Sequence, residues 1–314
     1  MKKFSNTIWF FCALTMTVQS QSGLKLTDYL NNPIQYNPAY VGAASQLYVK
    51  GTHTTQWLGF EGAPVTQTLD VQKRFGNNRY AGGISLLNDD FGAMKNFNFE
   101  SNFALHLNAT ENIGFVLGLK AGINNLSIDY NRLSIYDPTE YTFNQGNLTE
   151  LKPIIGTGLY LYSKKWFIGL SAPNLLKHRL DDELYNDLYS KTPHYYSTLG
   201  YVFELSPSIE LKTQLLSQVV KGAPVSNLFS ARALYKSKIG FEAHVQPKAL
   251  YGGMLSAIVK SHITVTYGYD MALSDLSQYS SGNHFFGLSF NLSKRENCDC
   301  EDDAGNEDRI YIRR

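Results

Sequence analysis

The residues best suited to chemistry lie in a short motif near the C-terminus. Cys298 and Cys300 flank one aspartate and precede the acidic run Glu301-Asp302-Asp303. A disulfide across so small a ring is strained, and the acidic run supplies no zinc ligands in a fixed geometry. We interpret the cysteines as exposed thiols or a local redox pair, and we predict no metal site there.

Two further groups could contribute to a site. Asp89 and Asp90, before Phe91-Gly92, could bind calcium, but they fall short of the roughly six or more oxygen ligands that this ion takes. We predict that they are solvated loop carboxylates. Serine, histidine and asparagine are plentiful, as a hydrolase would need, yet no spacing places a nucleophile beside an oriented base. The sequence therefore predicts no catalytic residue, no cofactor and no enzyme.

Residues 1–20 have the pattern of a secretory signal peptide. Lys2 and Lys3 precede the apolar stretch 8–14, and small and polar residues follow at 18–20. The apolar stretch is too short to span a membrane as a helix, and this order of segments is typical of a cleavable export signal. We therefore expect the mature chain to leave the cytoplasm.

The main pattern of the mature chain is an alternation of apolar and polar residues. In residues 97–107, one face carries Phe97, Phe99, Phe103, Leu105 and Leu107, and the other carries Asn98, Glu100, Asn102 and His106. Such alternation predicts a β-strand with one apolar face. We predict about fourteen such strands, near the length that crosses a bilayer at a tilt: 47–57, 65–74, 80–88, 97–107, 112–124, 154–163, 166–172, 196–205, 209–219, 227–235, 239–245, 250–259, 262–269 and 285–293.

The connections between these segments fall into two sets. Every second connection is tight, as at Gly76-Asn77-Asn78 and Lys164-Lys165, whereas long loops occupy 126–153, 173–195 and 270–284. Short periplasmic turns and long extracellular loops are typical of outer-membrane barrels of Gram-negative bacteria, and soluble β-sandwiches do not sort their connections in this way. The sequence therefore predicts an all-β fold, a transmembrane antiparallel β-barrel of about fourteen strands, with Phe, Leu and Tyr facing lipid.

The predicted barrel occupies residues 47–293 and leaves three segments outside it. Residues 21–46 are expected to form an N-terminal periplasmic arm or plug at or inside the mouth, with two Asn-Pro pairs that disfavour regular helix. Residues 294–314 are expected to form a flexible periplasmic tail. Within the loop 173–195, leucines four residues apart predict a short amphipathic helix on the outer surface: Leu176, Leu180, Leu184 and Leu188.

Charged residues on the inner faces of the strands have two interpretations. They could line a passage, or they could hold a narrow lumen together by hydrogen bonds and ion pairs, which is our prediction. The residues concerned are Glu100, His106, Glu210, Lys212, Arg232, Glu242 and His244. The net charge of +1 provides no basic face for nucleic acid, so no nucleic-acid partner is expected.

Several stretches resemble the PorP/SprF family of type IX secretion system membrane proteins. They follow one another along most of the mature chain: Asn37-Pro38-Ala39-Tyr40-Val41-Gly42, Gln56-Trp57-Leu58-Gly59-Phe60-Glu61-Gly62-Ala63-Pro64-Val65-Thr66, Asn88-Asp89-Asp90-Phe91-Gly92, Lys221-Gly222-Ala223-Pro224, Tyr267-Gly268-Tyr269-Asp270 and Ser281-Gly282-Asn283-His284. The first two together are fairly specific. One departure is visible, because Phe285 follows His284 where the family usually has an acidic residue.

The resemblance implies an integral outer-membrane protein that works with type IX translocon components and with outer-membrane lipid around it. It also implies a role in secreting or retaining a large cell-surface adhesin or gliding-motility protein that carries a type B C-terminal signal. Two alternatives remain open. One is a channel or transporter for small or hydrophobic compounds, with the arm as its plug, and the other is an outer-membrane hydrolase.

Partner contact is expected at two of the resembling stretches. The candidates are Gln56, Trp57, Gly59, Gly62 and Pro64 in the first loop, and Asn37, Pro38 and Tyr40 in the arm. The loop residues have a second interpretation, because glycine supplies unusual backbone angles and proline fixes the exit into the next strand. Both interpretations stay open on the sequence.

Overall fold

The chain folds as a closed antiparallel β-barrel of 14 strands, as the alternation predicts. A computed structural model describes residues 25–44, 46–110, 112–129, 132, 148–179, 190–260, 262–273 and 280–292. The first and last strands close the barrel through a register that runs from Leu47 opposite Leu292 to Thr55 opposite His284. Within the described ranges, no α-helix is long and apolar enough to cross a membrane.

The barrel strands follow one another around the wall in chain order. They are β1 Leu47–Thr55, β2 Val65–Phe75, β3 Tyr80–Phe91, β4 Met94–Thr110, β5 Ile113–Ile128, β6 Leu148–Ser163, β7 Trp166–Ala172, β10 His194–Ser206, β11 Ile209–Val220, β12 Ser226–Tyr235, β13 Ile239–Gln246, β14 Leu250–Lys260, β15 Ile263–Ala272 and β16 Asn283–Leu292. Two short strands, β8 His178–Arg179 and β9 Ser190–Lys191, pair with each other outside the barrel.

Each predicted strand corresponds to an observed one, but several are longer than predicted. Strand β6 begins at Leu148 rather than at 154, because residues 148–152 continue the pairing with β5. The amphipathic helix predicted around Leu176–Leu188 is wrong in its first part, since residues 178–179 are extended and pair with 190–191. Its positions Leu180, Leu184 and Leu188 lie outside the described residues.

The two ends of the barrel differ in their connections. At the short-turn end lie the turns 76–79, 111–112, 164–165, 207–208, 236–238 and 261–262, together with the start of β1 and the end of β16. The long-loop end carries the connections that leave β1, β3, β5, β7, β11, β13 and β15. Asn77 and Asn78 both have positive φ, at 53° and 62°, as the tightest hairpin turns require. In outer-membrane barrels such turns face the periplasm.

The N-terminal segment runs through the lumen as a series of short turns. Helices α1 (Asp28–Asn31) and α2 (Pro33–Tyr36) are followed by a 3-10 turn, Pro38–Tyr40. Each proline begins its own turn, where a missing backbone N–H carries no penalty. The Asn-Pro pairs therefore divide the segment into turns, and no long helix forms.

The segment crosses more of the barrel than the mouth position expected from the sequence. Its Gly42 carbonyl accepts a hydrogen bond from Arg74, beside the turn 76–79 at the short-turn end. At the other extreme, Asp28 borders a small cavity with Thr54 and Phe285, near the long-loop end. Residues 25–44 thus occupy the lumen along most of its described length, and we call them the lumenal arm.

Candidate functional site

Two glycines on the barrel wall form the seat of the lumenal arm. Gly118 of β5 and Gly158 of β6 are direct partners across the ladder. A Cβ atom on Gly118 would overlap the backbone of Pro38 and Ala39, and one on Gly158 would overlap the side chain of Asn37. Asn37 donates a hydrogen bond to the Leu159 carbonyl at 3.2 Å. The arm backbone therefore lies directly against two wall positions that have no side chain. Glycine within a strand often marks such a close approach of another backbone.

Charged side chains of the wall hold the polar groups of the arm. Asp70 accepts hydrogen bonds from Asn32 and, at 3.0 Å, from Gln35. Lys120 pairs with Glu100 at 2.5 Å and donates to the Gln35 carbonyl at 2.9 Å. The Lys120 and Glu100 side chains are 1% and 6% exposed. Partners for a buried charge are essential, so this pair couples the wall to the arm.

Apolar packing completes the contact along one side of the lumen. The arm residues Ile34, Tyr40 and Val41 pack in a buried cluster with wall residues such as Tyr160 and Phe167. A second cluster joins arm residues Leu26, Tyr29 and Tyr36 to Tyr196, Leu216 and Leu228. The ring of Tyr36 meets those of Tyr29 and Tyr196 edge to face at 5.6 and 5.2 Å. This geometry is favourable for aromatic pairs.

The predicted inner charges all lie on the lumenal face, and several have partners there. His106 contacts the Val41 carbonyl at 3.1 Å, and His244 contacts Asp270 at 2.8 Å. Arg232 donates to the Ser256 hydroxyl at 2.6 Å, and the Lys212 ammonium lies 5.1 Å from the centre of the Phe167 ring.

An acidic residue lies in the part of the arm that is farthest from the short-turn end. Burial raises the pKa of Asp28 from its ordinary 3.8 to about 6, the Lys25 ammonium opposes this rise, and the carboxylates of Asp270 and Asp89 add to it. A hydrogen bond with Thr54 also stabilises the charged form. The pKa of Lys25 is itself lowered, chiefly by burial.

We expect docking of the arm to weaken as pH rises through about 6. Because the pKa of Asp28 is raised on docking, no ionisation penalty applies below 3.8, the penalty grows as the pH rises from 3.8 to about 6, and it stays constant above that pH. Amide exchange of residues 26–44 is measured in the wild type and in Asp28→Asn at pH 5 and at pH 8. The ratio of the wild-type exchange rate to the Asp28→Asn rate should be about tenfold higher at pH 8 than at pH 5. Comparison with Asp28→Asn at each pH removes the contribution of Lys25. An unchanged ratio would contradict the expectation.

The first loop, residues 56–64, presents an apolar tip at the long-loop end. Trp57, Leu58 and Phe60 are 41%, 45% and 43% exposed. Trp57 has φ of 46°, a conformation that is strained for a bulky residue. Backbone strain of this kind occurs most often at functional sites.

The same loop is fixed to its neighbours by backbone hydrogen bonds. The Leu58 amide donates to the Gly282 carbonyl at 3.1 Å, the Ser281 amide returns a bond to Leu58 at 3.0 Å, and the Gly92 amide donates to Gly62 at 3.0 Å. The Trp57 amide donates to the Asn283 side chain at 3.1 Å. The tip is therefore held in place by two neighbouring connections.

The structure separates the two groups of predicted contact residues. Gln56, Trp57, Gly59, Gly62 and Pro64 lie in the loop at the long-loop end, with φ of 107° at Gly59 and 72° at Gly62. Asn37, Pro38 and Tyr40 are buried in the lumen, where they contact the wall.

Sequence reasoning did not single out Leu58 and Phe60, the glycine seat, or Lys120. A usable signal existed in β6, where Leu159 and Leu161 alternate with Tyr160 and Tyr162. A strand that is apolar on both faces, in a barrel surrounded by lipid, indicates a second apolar partner in the lumen.

Comparison with known proteins agrees with the barrel. A sequence model of one family, described as type IX secretion system membrane protein PorP/SprF, matches residues 18–290. No curated protein matches the chain. Among solved structures, the chain is similar to the Ralstonia pickettii toluene transporter TbuX, with TM-score 0.50 and 11% identity over 82% of this chain and 92% of that one. It is also similar to the Acinetobacter baumannii outer membrane protein Omp33, with TM-score 0.47 and 11% identity over 80% and 100%. At 11% identity, the likeness to TbuX shows the fold alone.

Proposed function

The chain belongs to the PorP/SprF family of type IX secretion system membrane proteins, and from this membership we propose that it helps that system secrete or retain a large cell-surface adhesin or gliding protein. The family and fold are those of an outer-membrane barrel of a secretion system, not of an enzyme family. The proposed cargo carries a type B C-terminal signal, and the proposed partners in the envelope are the type IX translocon components. Export would use residues 1–20 as a cleavable signal.

The observation that supports a protein partner most directly is the loop 56–64. Three large apolar side chains within four residues are exposed on a loop that its neighbours hold in place. Aromatic residues are enriched in protein interfaces, and a preorganised loop loses little conformational entropy on binding. We assign partner contact to this loop, with Trp57, Leu58 and Phe60 as its anchors.

The arm residues Asn37, Pro38 and Tyr40 receive a different role. Because the lumen buries them, we assign them to keeping the arm docked, as part of an arm or plug at 21–46 inside a barrel at 47–293, followed by a tail at 294–314. In a barrel whose lumen holds the docked arm, partner proteins would be contacted at the ends of the barrel.

Gene deletion tests the proposal in the native organism. Intact cells that lack the protein should lose surface labelling of the large adhesin with a type B signal, and re-expression of the wild-type chain should restore it. Normal display of every such surface protein in the deletion strain would contradict the proposal.

A loop variant separates partner contact from folding. We expect Trp57→Gly to relieve the positive φ and to leave the barrel as stable as the wild type, while the combined change Trp57→Gly, Leu58→Ser and Phe60→Ser lowers adhesin display by roughly tenfold or more, as loss of interface anchors does. Display is measured by antibody labelling of intact cells, and barrel assembly by heat-modifiable mobility. Leu273→Ser is the matched control, since Leu273 is 51% exposed at the same end. Equal display in both variants would contradict the assignment.

A channel remains the second candidate because the arm does not fill the whole lumen. A cavity lies between the arm and the wall, with lining residues from β1, β2 and β11 to β16. Planar-bilayer recordings of the intact chain decide between the two candidates. Steady conductance with the arm docked would favour a channel, and a closed wild-type barrel would favour the secretion partner.

A further inference from the structure

The outward face of β2 carries a lysine near the short-turn end. Gln72 faces the lumen, where its side chain accepts a hydrogen bond from the Gly42 amide of the arm. Side chains alternate between the two faces of a strand, so Val71, Lys73 and Phe75 point away from the lumen. Lys73 is exposed, and it forms no ion pair with any residue that the structure describes. Its ammonium is therefore available to a ligand outside the barrel.

Three exposed aromatic rings lie beside Lys73 at the same end of the barrel. Phe75, Tyr80 and Phe103 are 49%, 37% and 44% exposed. The ring of Tyr80 stacks against those of Phe75 and Phe103, at centroid distances of 6.0 and 6.2 Å. Outward-facing aromatic rings mark the boundary between hydrocarbon and headgroups in membrane barrels. The three rings therefore indicate that the bilayer boundary lies at this level.

Lys73 lies on the hydrocarbon side of these rings. Strand β2 runs toward the short-turn end and finishes at Phe75, so Lys73 is two residues farther from that end. A charge on the lipid-facing side costs free energy that falls toward the interface, and a lysine chain can extend its ammonium to the headgroups while its methylene groups stay on apolar surface. The Lys73 ammonium can therefore reach the level of the lipid phosphates.

A glycine leaves a shallow groove between the lysine and the rings. Gly82 of β3 lies opposite Lys73 of β2 on one side and opposite Phe103 of β4 on the other. It shares the outward face with both and has no side chain. The atoms nearest to a Cβ atom added there belong to the ring of Phe75, at 3.4 and 4.0 Å. A groove that has a cation on one side and aromatic rings on the other fits a lipid, with the phosphate at the cation and an acyl chain in the groove.

The charge around the groove is positive. Arg79, which directly precedes Tyr80, is a second exposed cation, and it forms no ion pair with a described residue. The neighbours of Lys73 on the outward face of β2, β3 and β4 include no acidic residue: Val71, Phe75, Tyr80, Gly82, Ile84, Ser101 and Phe103. Clusters of basic residues at a membrane surface recognise anionic lipid headgroups, so this groove favours an anionic lipid over a zwitterionic one.

We propose that the outward face of β2 to β4 binds one anionic glycerophospholipid of the periplasmic leaflet. Lys73 binds its phosphate, Arg79 adds a second positive charge at the headgroup, and an acyl chain lies over Gly82 beside Phe103. The lipid supplies the partner that Lys73 lacks among the described residues, and it anchors this side of the barrel at a fixed depth. The proposal goes beyond the secretion role and does not depend on it.

Native mass spectrometry of the full-length protein in detergent tests the site. With phosphatidylglycerol and phosphatidylethanolamine at equal concentration, the wild type should retain the anionic lipid at least about fivefold more, which is the typical effect of one cation at an anionic headgroup. Lys73→Gln should lower retention of phosphatidylglycerol by about fivefold, and Lys73→Arg should keep it near the wild-type level. Lys221→Gln is the matched control, because Lys221 is exposed at the long-loop end, and it should retain the lipid as the wild type does.

Competition with glycerol 3-phosphate separates a lipid site from a site for free phosphoryl anions. An excess of this headgroup fragment should leave the bound phosphatidylglycerol in place, because the fragment has no acyl chain for the groove. Heat-modifiable mobility checks that each variant is assembled. Equal retention of the two lipids by the wild type, wild-type retention in Lys73→Gln, or displacement of the lipid by glycerol 3-phosphate would each overturn the proposal. A change of oligomeric state in Lys73→Gln would also overturn it, since the groove would then be a protein contact.

Discussion

Replacing Gly118 by alanine is expected to expel the lumenal arm while the barrel stays assembled. The added methyl group would overlap the backbone of Pro38 and Ala39, and a backbone segment cannot rotate away as a side chain can. The 3-10 turn Pro38–Tyr40 must therefore leave its seat, and the buried contacts of Tyr40 and Val41 are lost with it. We expect exchange of the arm amides to accelerate by roughly a hundredfold or more, since overpacking of a close contact commonly costs about 1–3 kcal/mol and occasionally more.

The matched control is Gly287→Ala. Gly287 also faces the lumen, but the atoms nearest to its added methyl group belong to the side chains of Phe285 and Thr266, at 3.1 and 3.5 Å. Hydrogen exchange of residues 25–44 should remain near wild type in this control and should rise in Gly118→Ala, with heat-modifiable mobility unchanged in both. Wild-type protection of the arm in Gly118→Ala would mean that the glycine seat is not what holds it.

The sequence predicted the strands well because one face of each strand contacts lipid, which is uniformly apolar. Lipid imposes an apolar residue at every second position, and the alternation in 97–107 therefore identifies β4 and its two faces. Strand ends were less predictable. In β6, the residues Lys152 and Pro153 interrupt the apolar pattern although they remain paired with β5.

The path of the arm could not be read from the sequence, because it depends on contacts between distant segments. Asn32 meets Asp70, and Gln35 meets Lys120, across separations of 38 and 85 residues. The Asn-Pro pairs disfavour a regular helix, and no long helix forms in the arm, but the pairs carry no information on which part of the wall the arm contacts. That choice is made by Gly118 and Gly158, whose absence of side chains is visible only once the two strands are paired.

The arm also changes how the inner charges are understood. In an empty barrel, Glu100 and Lys120 would be ordinary wall residues with access to water. With the arm docked, both are nearly inaccessible, and the second bond of Lys120 goes to the Gln35 carbonyl. Wall and arm therefore form one polar network, and the loss of one member affects both.

Replacing Glu100 by alanine is expected to be among the most destabilising single changes in the barrel. The Lys120 ammonium, 1% exposed and 2.5 Å from Glu100, would keep only the Gln35 carbonyl as a described partner. Removing one member of a buried pair typically costs about 3–5 kcal/mol, whereas replacing both by apolar residues can be neutral. We therefore expect Glu100→Ala to lower the free energy of unfolding in urea by about that amount, and Glu100→Met with Lys120→Met to recover most of it.

An exposed pair provides the comparison that makes this expectation specific. Lys95 lies 3.8 Å from Asp90, with side chains 51% and 37% exposed, so Lys95→Ala should cost less than about 1 kcal/mol. Amide exchange read alongside the urea curves locates the effect, because loss of the Lys120 contact should release residues 25–44 before the barrel strands exchange. If Glu100→Ala and Lys95→Ala had equal effects, the buried pair would not be the link between wall and arm. If the double methionine variant were as unstable as Glu100→Ala, the loss of stability would come from altered packing and not from the unpaired, buried Lys120 ammonium.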